Sequence, residues 1–588
     1  MKKRWLTVFF AVIVTLAMVL VGCPNGDDNG GGGDGDGTDW SVPVDGRINV
    51  DILVIGAGGA GLSASNTVIR GASDEPVEGR KVLLIEQNPH TRWSATAFSG
   101  GGFASGGNSW LQTESGETRD SVQWWFDDLI NGGEHNDHRM ASIFARNNGH
   151  ATSWLVQALE YPILRPQFNM DSPTAAEYRA HRTFSMPQAI MLTETLIEPF
   201  EDAGGVLKFD VYAEELLTDD SGRVIGAKVK WSDDSTVEIF AEMGVILTTG
   251  GYSNNPVILA EYASALVPVL YYGHEAVSQG KGLLMAMEHD AIFWHRHRGK
   301  VYANAVQYRD NQAHATTGAA MQQTLDTNAI YVNKQGSRVV NENDSFIAIK
   351  HATVAAPDSI LFFFMDEVAF TAWRPRVAAR LPEADLNAYI TATVGTPFTG
   401  FPIIARADTI AGVAAIAGVD PVGLQNTVDR FNGFISNATL TDYDKDEDFG
   451  REIRELEDRV TATFRPMRPI SATGPYYLVE QKLRFATTLG GLKVDDQMRV
   501  LAADNPLANE VGAPVYGQSP VYNHTNERII PGLYAGGEVI GGIHGEESLP
   551  GTNVGWALTS GRLAGLSITG RTSQIEAGTP PMTHIPWD

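Results

Sequence analysis

The segment INVDILVIGAGGAG, residues 48–61, joins an apolar run directly to a glycine-rich turn. The run ends at Ile55 and contains one acid, a pattern typical of a β-strand that is covered on both faces. The turn that follows matches G-x-G-x-x-G at Gly56, Gly58 and Gly61. We therefore expect a strand, a tight turn and a helix whose N-terminus faces a phosphate group.

The glycines of this turn have separate roles in binding a dinucleotide. Gly56 allows the tight turn, and Gly61 lets the helix pack closely against the strand. Gly58 lets the backbone approach a pyrophosphate, and the adjacent Gly59 is assigned to the same site. A chance glycine-rich turn is the alternative, which the flanking strand and helix disfavour. The motif alone does not separate FAD from NAD.

An acid follows the next apolar run at the place that a ribose requires. Lys81–Ile85 predicts a second strand, and Glu86 at its end can accept hydrogen bonds from both ribose hydroxyls. Glu86 lies thirty residues after Gly56, whereas the usual spacing is about twenty. We interpret the polar residues 73–79 as an insertion between helix and strand.

Two later apolar runs predict that the same sheet is completed far along the chain. Gly244–Thr248 and Gly532–Ala535 both read as strands, with nearly three hundred residues between them. A large inserted domain explains this gap. Within the insertion, Thr409–Gly418 and Pro421–Phe434 predict two helices, and Asp420 is placed to cap the second.

The formal net charge of −26 at pH 7 excludes nucleic acid as an expected partner, because such a surface repels phosphate backbones. Cys23 is the only cysteine. Disulfides, a C-x-x-C-H haem motif and cysteine-ligated iron–sulfur clusters are therefore excluded, and we expect no metal site.

The N-terminus predicts export. Residues 2–4 are basic and the apolar stretch Leu6–Val21 follows, as in a secretory signal. The segment Leu20–Cys23 resembles the bacterial lipobox, which implies that Cys23 carries a lipid and anchors the mature chain to a membrane, facing the periplasm or the cell exterior. An uncleaved membrane anchor with an incidental cysteine is the alternative. Residues 24–46 begin with a run of Gly, Asp and Asn and predict a flexible tether.

Three further segments carry a family resemblance. Ser94–Gly102, Thr248–Tyr252 and Gly532–Gly545 resemble the FAD-contacting loops of the fumarate reductase, succinate dehydrogenase and 3-ketosteroid dehydrogenase superfamily. The likeness extends over 47–571 and implies FAD as the cofactor. Besides the glycine turn and Glu86, the implied FAD-binding residues are Ser94, Thr96, Gly101, Gly102, Thr249, Gly250, Gly537, Glu538, Gly551, Asn553 and Val554. Ala95 stands where succinate dehydrogenases attach FAD through a histidine, so we expect non-covalent FAD.

The resemblance implies an α/β fold in which a Rossmann-like FAD-binding domain is interrupted by an α+β capping domain over the flavin ring. The expected divisions are a signal peptide at 1–23, a tether at 24–46, an FAD-binding domain at 47–297 and 487–572, a cap at 298–486 and a tail at 573–588.

The residues that bind and protonate a dicarboxylate in fumarate reductases are not matched. The positions that correspond to them hold Met321, Gln322, Leu325, Phe346, Ala486, Thr487 and Ser548. A dicarboxylate substrate is therefore disfavoured. Gly551 matches a ketone-binding glycine of ketosteroid dehydrogenases, but Glu547 occupies the position of the nearby tyrosine.

Other residues could replace the lost groups. We assign catalytic roles to Glu547, His544 and Tyr302, and expect burial beside the flavin to raise the pKa of Glu547. His295–Arg298 could also contribute, although such a charge run is more typical of a solvated surface.

Two functions remain open from the sequence. The favoured one is an FAD-dependent oxidoreductase that transfers hydride between flavin N5 and a small organic substrate, at a carbon–carbon bond next to a carbonyl group. It requires a separate electron donor or acceptor. The alternative is an FAD-loaded lipoprotein that binds a ligand or relays electrons without catalysis.

Overall fold

The computed structural model describes residues 46–160, 180, 182–186, 188–309, 312–315, 329–340, 342, 346–378, 387, 390–391, 404–437, 468–512, 518–579 and 581–584. The predicted signal peptide, Cys23 and all but the last residue of the predicted tether lie outside these ranges. No helix within them is both long enough and apolar enough to cross a membrane.

The described strands are, in chain order, β1 (Arg47–Ile55), β2 (Val82–Ile85), β3 (Gly102–Ala104), β4 (Thr183–Ser185), β5 (Val206–Lys208), β6 (Tyr212–Thr218), β7 (Val224–Lys230), β8 (Thr236–Leu247), β9 (Phe293–Trp294), β10 (Gly299–Arg309), β11 (Gln312–Ala315), β12 (Ile330–Val332), β13 (Leu361–Asp366), β14 (Ile390–Thr391), β15 (Ile404–Ala407), β16 (Tyr476–Thr488), β17 (Gly491–Leu492), β18 (Arg499–Ala502) and β19 (Arg528–Ala535).

The described α-helices are, in chain order, α1 (Gly59–Val68), α2 (Trp110–Glu114), α3 (Val122–Gly133), α4 (His138–Leu159), α5 (Met191–Glu194), α6 (Ile197–Asp202), α7 (Pro256–Tyr262), α8 (Lys281–Met287), α9 (Phe346–Ala355), α10 (Glu367–Ala378), α11 (Ile410–Ala417), α12 (Pro421–Asn437) and α13 (Thr552–Ile568).

The first large sheet has the order β18-β19-β8-β1-β2-β5, and β7 and β6 extend it from β8. Its centre is parallel: Ile55 pairs with both Ile85 and Leu247. The last of its parallel strands, β19, joins β8 through Leu533 and Val245. Parallel strands need both faces covered, and α1 and α13 lie against each other beside this sheet. Segments that are far apart in the sequence, β1 with α1 and β19 with α13, therefore build this sheet and its helical layer.

The second large sheet has the order β11-β10-β16-β13-β12, with β15 and β14 added beside β16. Every strand of it lies within 299–488. Its core packs β12, β13 and β16 against α11 and α12, with Phe364, Leu478 and Val413 almost fully buried. This layer of helices on a mostly antiparallel sheet corresponds in extent to the predicted cap, while the exact domain division stays a prediction.

The structure confirms the predicted elements with small differences. The four predicted strands are β1, β2, the end of β8 and the end of β19, and the two helices predicted in the insertion are α11 and α12. Asp420 caps α12 by accepting hydrogen bonds from the backbone amides of Val422 and Gly423 at 3.1 and 3.2 Å. β8 is longer than predicted because it also includes a first half that pairs with β7.

Candidate flavin and substrate site

The glycine-rich turn is tightly packed. Gly56 has a φ of +104°, and a Cβ added at Gly61 would lie 1.8 Å from the carbonyl oxygen of Gly56. The hydroxyl of Thr248 donates to the carbonyl oxygens of Ile55 and Gly56 at 2.9 and 2.8 Å. A side chain at Gly61 would therefore push α1 away from the strand that precedes it.

Glu86 lies beside this turn, as the sequence predicted. Its Oε2 accepts a hydrogen bond from the amide of Ala57 at 2.8 Å. Its Oε1 accepts from the backbone and side-chain nitrogens of Asn88 at 3.0 and 2.7 Å. Burial raises the pKa of Glu86, and these hydrogen bonds to the carboxylate oppose the rise. The acid is held at the carboxyl end of β2, where the resemblance places a ribose.

The serine and threonine loop reaches the start of α1. The amide of Gly59 donates to Thr96 Oγ1 at 3.2 Å, and the amide of Ala97 donates to Ser94 Oγ at 3.3 Å. A Cβ added at Gly58 would meet Thr96 Oγ1 only at 3.8 Å. The two predicted loops are thus brought together at Gly58, where an added Cβ would make only ordinary van der Waals contacts with Ser94 and Thr96.

The segment after this loop contacts the N-terminus of α13. The amide of Ala104 in β3 donates to the carbonyl oxygen of Gly551 at 2.8 Å. Gly551 has a φ of +77°, and a Cβ there would lie 3.0 Å from the amide nitrogen of Ala104. Gly101, with a φ of +82°, accepts from the amide of Met186 at 3.1 Å. Gly102 pairs with Ser185 of β4. The segment that contains Gly102 therefore lies next to the first turn of α13.

Gly537 and Glu538 complete the cradle. The amide of Gly537 donates to Ser560 Oγ of α13 at 2.8 Å. Glu538 Oε1 accepts from the amide and the hydroxyl of Thr488, both at 2.9 Å. Burial raises the pKa of Glu538, and the hydrogen bonds oppose the rise. Glu538 therefore joins the flavin-side loops to the last residue of β16, in the second sheet.

Three features of this cradle fit FAD. Thr249 Oγ1 and Asn553 Oδ1 are buried and have no hydrogen-bond partner among the described residues. Gly250, with a φ of +76°, has no heavy atom within 4 Å of an added Cβ. Val554 lies in the first turn of α13, where backbone amides have no partner within the helix. The unpartnered polar atoms and the open position at Gly250 are therefore compatible with a polar ligand.

The loop that carries the predicted catalytic residues is fixed to the end of α3. Asn136 Nδ2 donates to the carbonyl oxygen of Ile543 at 2.7 Å, and the amide of Glu546 donates to that of Gly133 at 2.8 Å. His135 Nδ1 lies 3.1 Å from Glu546 Oε1. These contacts set the positions of His544 and Glu547 on either side of Glu546.

Glu547 joins two lysines that the sequence had not indicated. Lys300 Nζ lies 3.0 Å from Glu547 Oε1, and Lys350 Nζ lies 3.0 Å from Glu547 Oε2. Lys300 Nζ also donates to the carbonyl oxygen of Ser548. Lys300 comes from β10 and Lys350 from α9, so the insertion supplies both cations.

The expected rise in the pKa of Glu547 is wrong. Burial does disfavour the carboxylate, but the charges and hydrogen bonds of Lys300 and Lys350 outweigh it, and the pKa of Glu547 is lowered. Burial also disfavours the ammonium of Lys300, whereas Tyr302 and Glu547 favour it more strongly, and its pKa is raised. Glu547 is a fixed anion at neutral pH rather than a group poised to exchange a proton.

Tyr302 and His544 both border this cluster. Lys300 Nζ lies 5.4 Å from the ring centre of Tyr302, and the guanidinium of Arg484 lies 4.9 Å from the same ring. Burial, with the nearby charge of Lys300, lowers the pKa of His544 to about 3. The structure thus brings Glu547, His544 and Tyr302 to one cluster, in which His544 is neutral.

The expected solvated run at 295–298 is wrong for two of its four residues. His295 and Arg298 are 1% and 4% exposed. Arg298 pairs with Glu510 at 2.7 Å and contacts His295 Nδ1 at 2.7 Å. Arg298 also donates to the carbonyl oxygen of His135. Since the adjacent Asn136 holds Ile543, Arg298 helps to fix the loop that carries His544.

A buried ion triad underlies the flavin-side loops. Arg182 binds Asp120 with two hydrogen bonds at 2.8 and 2.6 Å and also pairs with Asp128. All three side chains are fully buried. The carbonyl oxygen of Arg182 accepts from the amide of Ser105, next to β3. No sequence pattern pointed to this triad, because its members are up to 62 residues apart.

Three of the unmatched substrate positions, Ala486, Thr487 and Ser548, are placed by the structure, and Ala486 is an exposed residue of β16. Thr487 pairs with Lys300 in the second sheet, and Ser548 accepts from Lys300 through its carbonyl oxygen. Met321, Gln322 and Leu325 lie outside the described residues, and Phe346 is described only as the first residue of α9. Alternation along a strand could have indicated Lys300, since Lys300 and Tyr302 share one face of β10.

A family model described as an FAD binding domain matches residues 51–554. The chain therefore belongs to the FAD-binding domain family. It binds FAD and is an FAD-dependent oxidoreductase, as the resemblance of the three loop segments implied.

Known proteins share most of the chain. The fumarate reductase (cytochrome) of Shewanella frigidimarina is 26% identical over 533 residues, which is 89% of this chain and 77% of that protein. The urocanate reductase of Eggerthella lenta is 25% identical over 539 residues, 88% of this chain and 74% of that protein. The 3-ketosteroid delta1-dehydrogenase of Sterolibacterium denitrificans has a TM-score of 0.64 at 17% identity and covers 89% of this chain and 100% of that structure. This shared fold confirms the predicted fold class.

Proposed function

We propose that this oxidoreductase transfers hydride between flavin N5 and a carbon–carbon bond that is conjugated to a carbonyl group. FAD supplies the hydride chemistry when bound. The observation that carries the proposal is the ammonium of Lys300, which reaches from the second sheet to the carbonyl oxygen of Ser548, four residues before the first residue of α13. A buried cation is thereby held at the edge of the flavin cradle.

The reaction needs a positive group at this place. When hydride adds to one end of a conjugated double bond, negative charge develops on the carbonyl oxygen, and fixed donors in a water-poor site stabilise it. The saturated product then forms when the carbon next to the carbonyl group takes a proton from solvent. Lys300 keeps its proton because its pKa is raised. The names of the similar proteins support the same class, since fumarate, urocanate and 3-ketosteroids all carry a double or single carbon–carbon bond next to a carbonyl or carboxylate carbon.

The cluster suggests separate roles for the three predicted catalytic residues. Glu547 holds Lys300 and Lys350 in place as a positioning residue. Tyr302 lies on the same strand face as Lys300 and can contact the substrate oxygen. His544, neutral because of its lowered pKa, can accept or donate a hydrogen bond without adding charge.

Single-turnover reoxidation tests this proposal. The FAD-loaded protein would be reduced anaerobically and mixed in turn with an enone, a 2-enoate, the corresponding enamide and fumarate, while the flavin absorbance is followed. We expect rapid reoxidation by at least one conjugated compound and none by its saturated counterpart. If the flavin stays reduced with all of them, the proposal fails.

We also infer that the protein is exported and anchored through lipidated Cys23, with residues 24–46 as a spacer, and that a separate redox partner exchanges electrons with the flavin. The inference rests on the signal-like segment before Cys23. Intact-mass measurement of detergent-extracted protein should show a lipid on an N-terminal Cys23. In the Cys23→Ala variant, the lipid and the partition into detergent should both be lost; an unchanged partition would contradict the lipid anchor.

A further inference from the structure

The Lys300–Glu547–Lys350 cluster contains more positive than negative side chains. Two ammonium groups share one carboxylate, at 3.0 Å from each of its oxygens. The raised pKa of Lys300 and the lowered pKa of Glu547 keep both groups ionised, and His544 beside them is neutral. Counting Lys350 as protonated, the cluster has a net charge of +1.

An unbalanced charge in this location is costly unless a ligand compensates for it. The side chains of Lys300, Lys350 and Glu547 are 8%, 16% and 15% exposed. Water therefore screens the remaining positive charge poorly, and a buried ion normally has a counter-ion. One negative charge on a bound molecule would complete the balance.

The two lysines differ in how many hydrogen bonds they can still donate. The ammonium of Lys300 bonds Glu547, the carbonyl oxygen of Ser548 and Tyr302. Within the described part of the chain, Lys350 donates only to Glu547. Since an ammonium has three N–H donors, the described residues leave two donors of Lys350 available for a ligand.

The cluster lies next to a position where the sequence lacks the cationic residue of fumarate reductases. Ser548 stands at an unmatched arginine position, and Lys300 of β10 contacts its carbonyl oxygen. A cationic group is thus present there, although it comes from β10 and is joined to a second lysine on α9. The charge is lower than that of a pair of free cations, because Glu547 neutralises one of the two.

We propose that Lys350 and Lys300, held by Glu547, form a subsite for a single anionic group of the substrate, most simply one carboxylate, and that this subsite selects singly charged substrates over neutral and doubly charged ones. This deepens the proposed function and rests on it. Lys350 would bind the anionic group directly, Lys300 would stabilise charge on the adjacent oxygen, and Glu547 would set the net charge.

Ligand binding to the oxidised flavoprotein tests the subsite without turnover. Crotonate, crotonamide and fumarate would be titrated into full-length, detergent-solubilised, FAD-loaded protein, and dissociation constants read from changes in the flavin spectrum. We expect crotonate to bind more tightly than crotonamide by a factor of about 10 to 100, the range for hydrogen bonds to a charged group. Fumarate should bind more weakly than crotonate.

Two variants should change the ligand preference in different ways, because one lowers the net charge of the cluster and the other raises it. In Lys350→Gln the preference for crotonate over crotonamide should fall about tenfold or more, since the cluster becomes neutral. In Glu547→Gln, which conserves shape and raises the net charge to +2, binding of fumarate should tighten relative to crotonate. Lys482→Gln is the matched control, because Lys482 pairs with Glu480 at 2.7 Å in the same sheet and outside the cluster.

The outcomes are separable from failure of the proposed function. Equal affinity for crotonate and crotonamide in the unaltered protein would overturn the subsite, even if both reoxidise the flavin. An unchanged ratio in Lys350→Gln, or the same change in Lys482→Gln, would also overturn it. If no conjugated compound reoxidises the flavin, the proposed function fails, and the binding preference still decides whether the anion subsite exists.

Discussion

Removing the Glu86 carboxylate should weaken both the fold and FAD binding. Glu86→Ala leaves three buried donors without their acceptor: the amides of Ala57 and Asn88 and the side-chain nitrogen of Asn88. An unsatisfied buried donor costs about 1–3 kcal/mol, so three donors at the lower end give about 3 kcal/mol. Relief of the buried charge of Glu86 offsets part of this loss. We expect a net loss of about 2 kcal/mol.

Urea unfolding of the FAD-free protein, followed by tryptophan fluorescence, measures the change, and a fluorescence titration gives the FAD affinity. Glu78→Ala is the control, since Glu78 is exposed in the connection before β2. Glu86→Gln should be intermediate, because it keeps one acceptor oxygen. Equal stability and FAD affinity in Glu86→Ala and Glu78→Ala would refute the reasoning.

The raised pKa of Glu86 gives this prediction a pH dependence. The folded protein holds the proton of Glu86 more tightly than the unfolded chain, whose glutamates titrate near about 4.3. The unaltered protein should therefore lose stability relative to Glu86→Gln as the pH rises through that value to the folded pKa. Parallel pH profiles for the two proteins would contradict the burial of this charge.

Three further predictions concern the cradle, the ion triad and the loop. Gly537→Val should abolish FAD retention on a desalting column, because a Cβ at this positive-φ position would lie 2.8 Å from a methyl group of α1. Arg182→Met should lower the free energy of unfolding in urea by about 3–5 kcal/mol, since it leaves Asp120 and Asp128 buried without their cation; a loss below about 1 kcal/mol would contradict this account. Flavin reoxidation should show no inflection from His544 between pH 5 and 8, because its pKa is about 3, and His544→Gln should keep the same pH profile.

The local part of the fold could be predicted from the sequence because its signals are short-range. The strand, turn and helix around Gly56 depend on residues that are adjacent in the chain. The structure places β1 within one residue of the predicted bounds and begins α1 inside the glycine-rich turn. The helices at 410–437 follow from spacing and from the cap at Asp420. The sequence also predicted that β8 and β19 complete the first sheet, but not their order in it, and the structure places β19 beside β8.

The charged groups of the site could not be predicted in the same way. Lys300 meets Ser548 across 248 residues, and Lys350 meets Glu547 across 197. Neither separation leaves a local pattern. The position of Glu547 beside the cofactor loops indicated burial, so its pKa was expected to rise. The sequence did not indicate the two lysines that lower this pKa.

The charge run at 295–298 illustrates a different limit. Composition favoured a solvated surface, but Glu510 supplies a partner that lets Arg298 be buried. A charged residue is buried when a distant acid is available, and only the folded chain brings that acid near. The sequence therefore indicated the grouping of the predicted cofactor loops better than the charged side chains that lie beside them.

The proposed function requires that hydride move between FAD and a conjugated carbon–carbon bond in this site. One single-turnover measurement tests it most directly: the reduced FAD protein is mixed anaerobically with a 2-enoate, and flavin oxidation and the saturated product are quantified in the same samples. We predict one saturated product formed for each flavin oxidised. Flavin oxidation without that product, or no oxidation by any conjugated acceptor while FAD remains bound, would contradict the account.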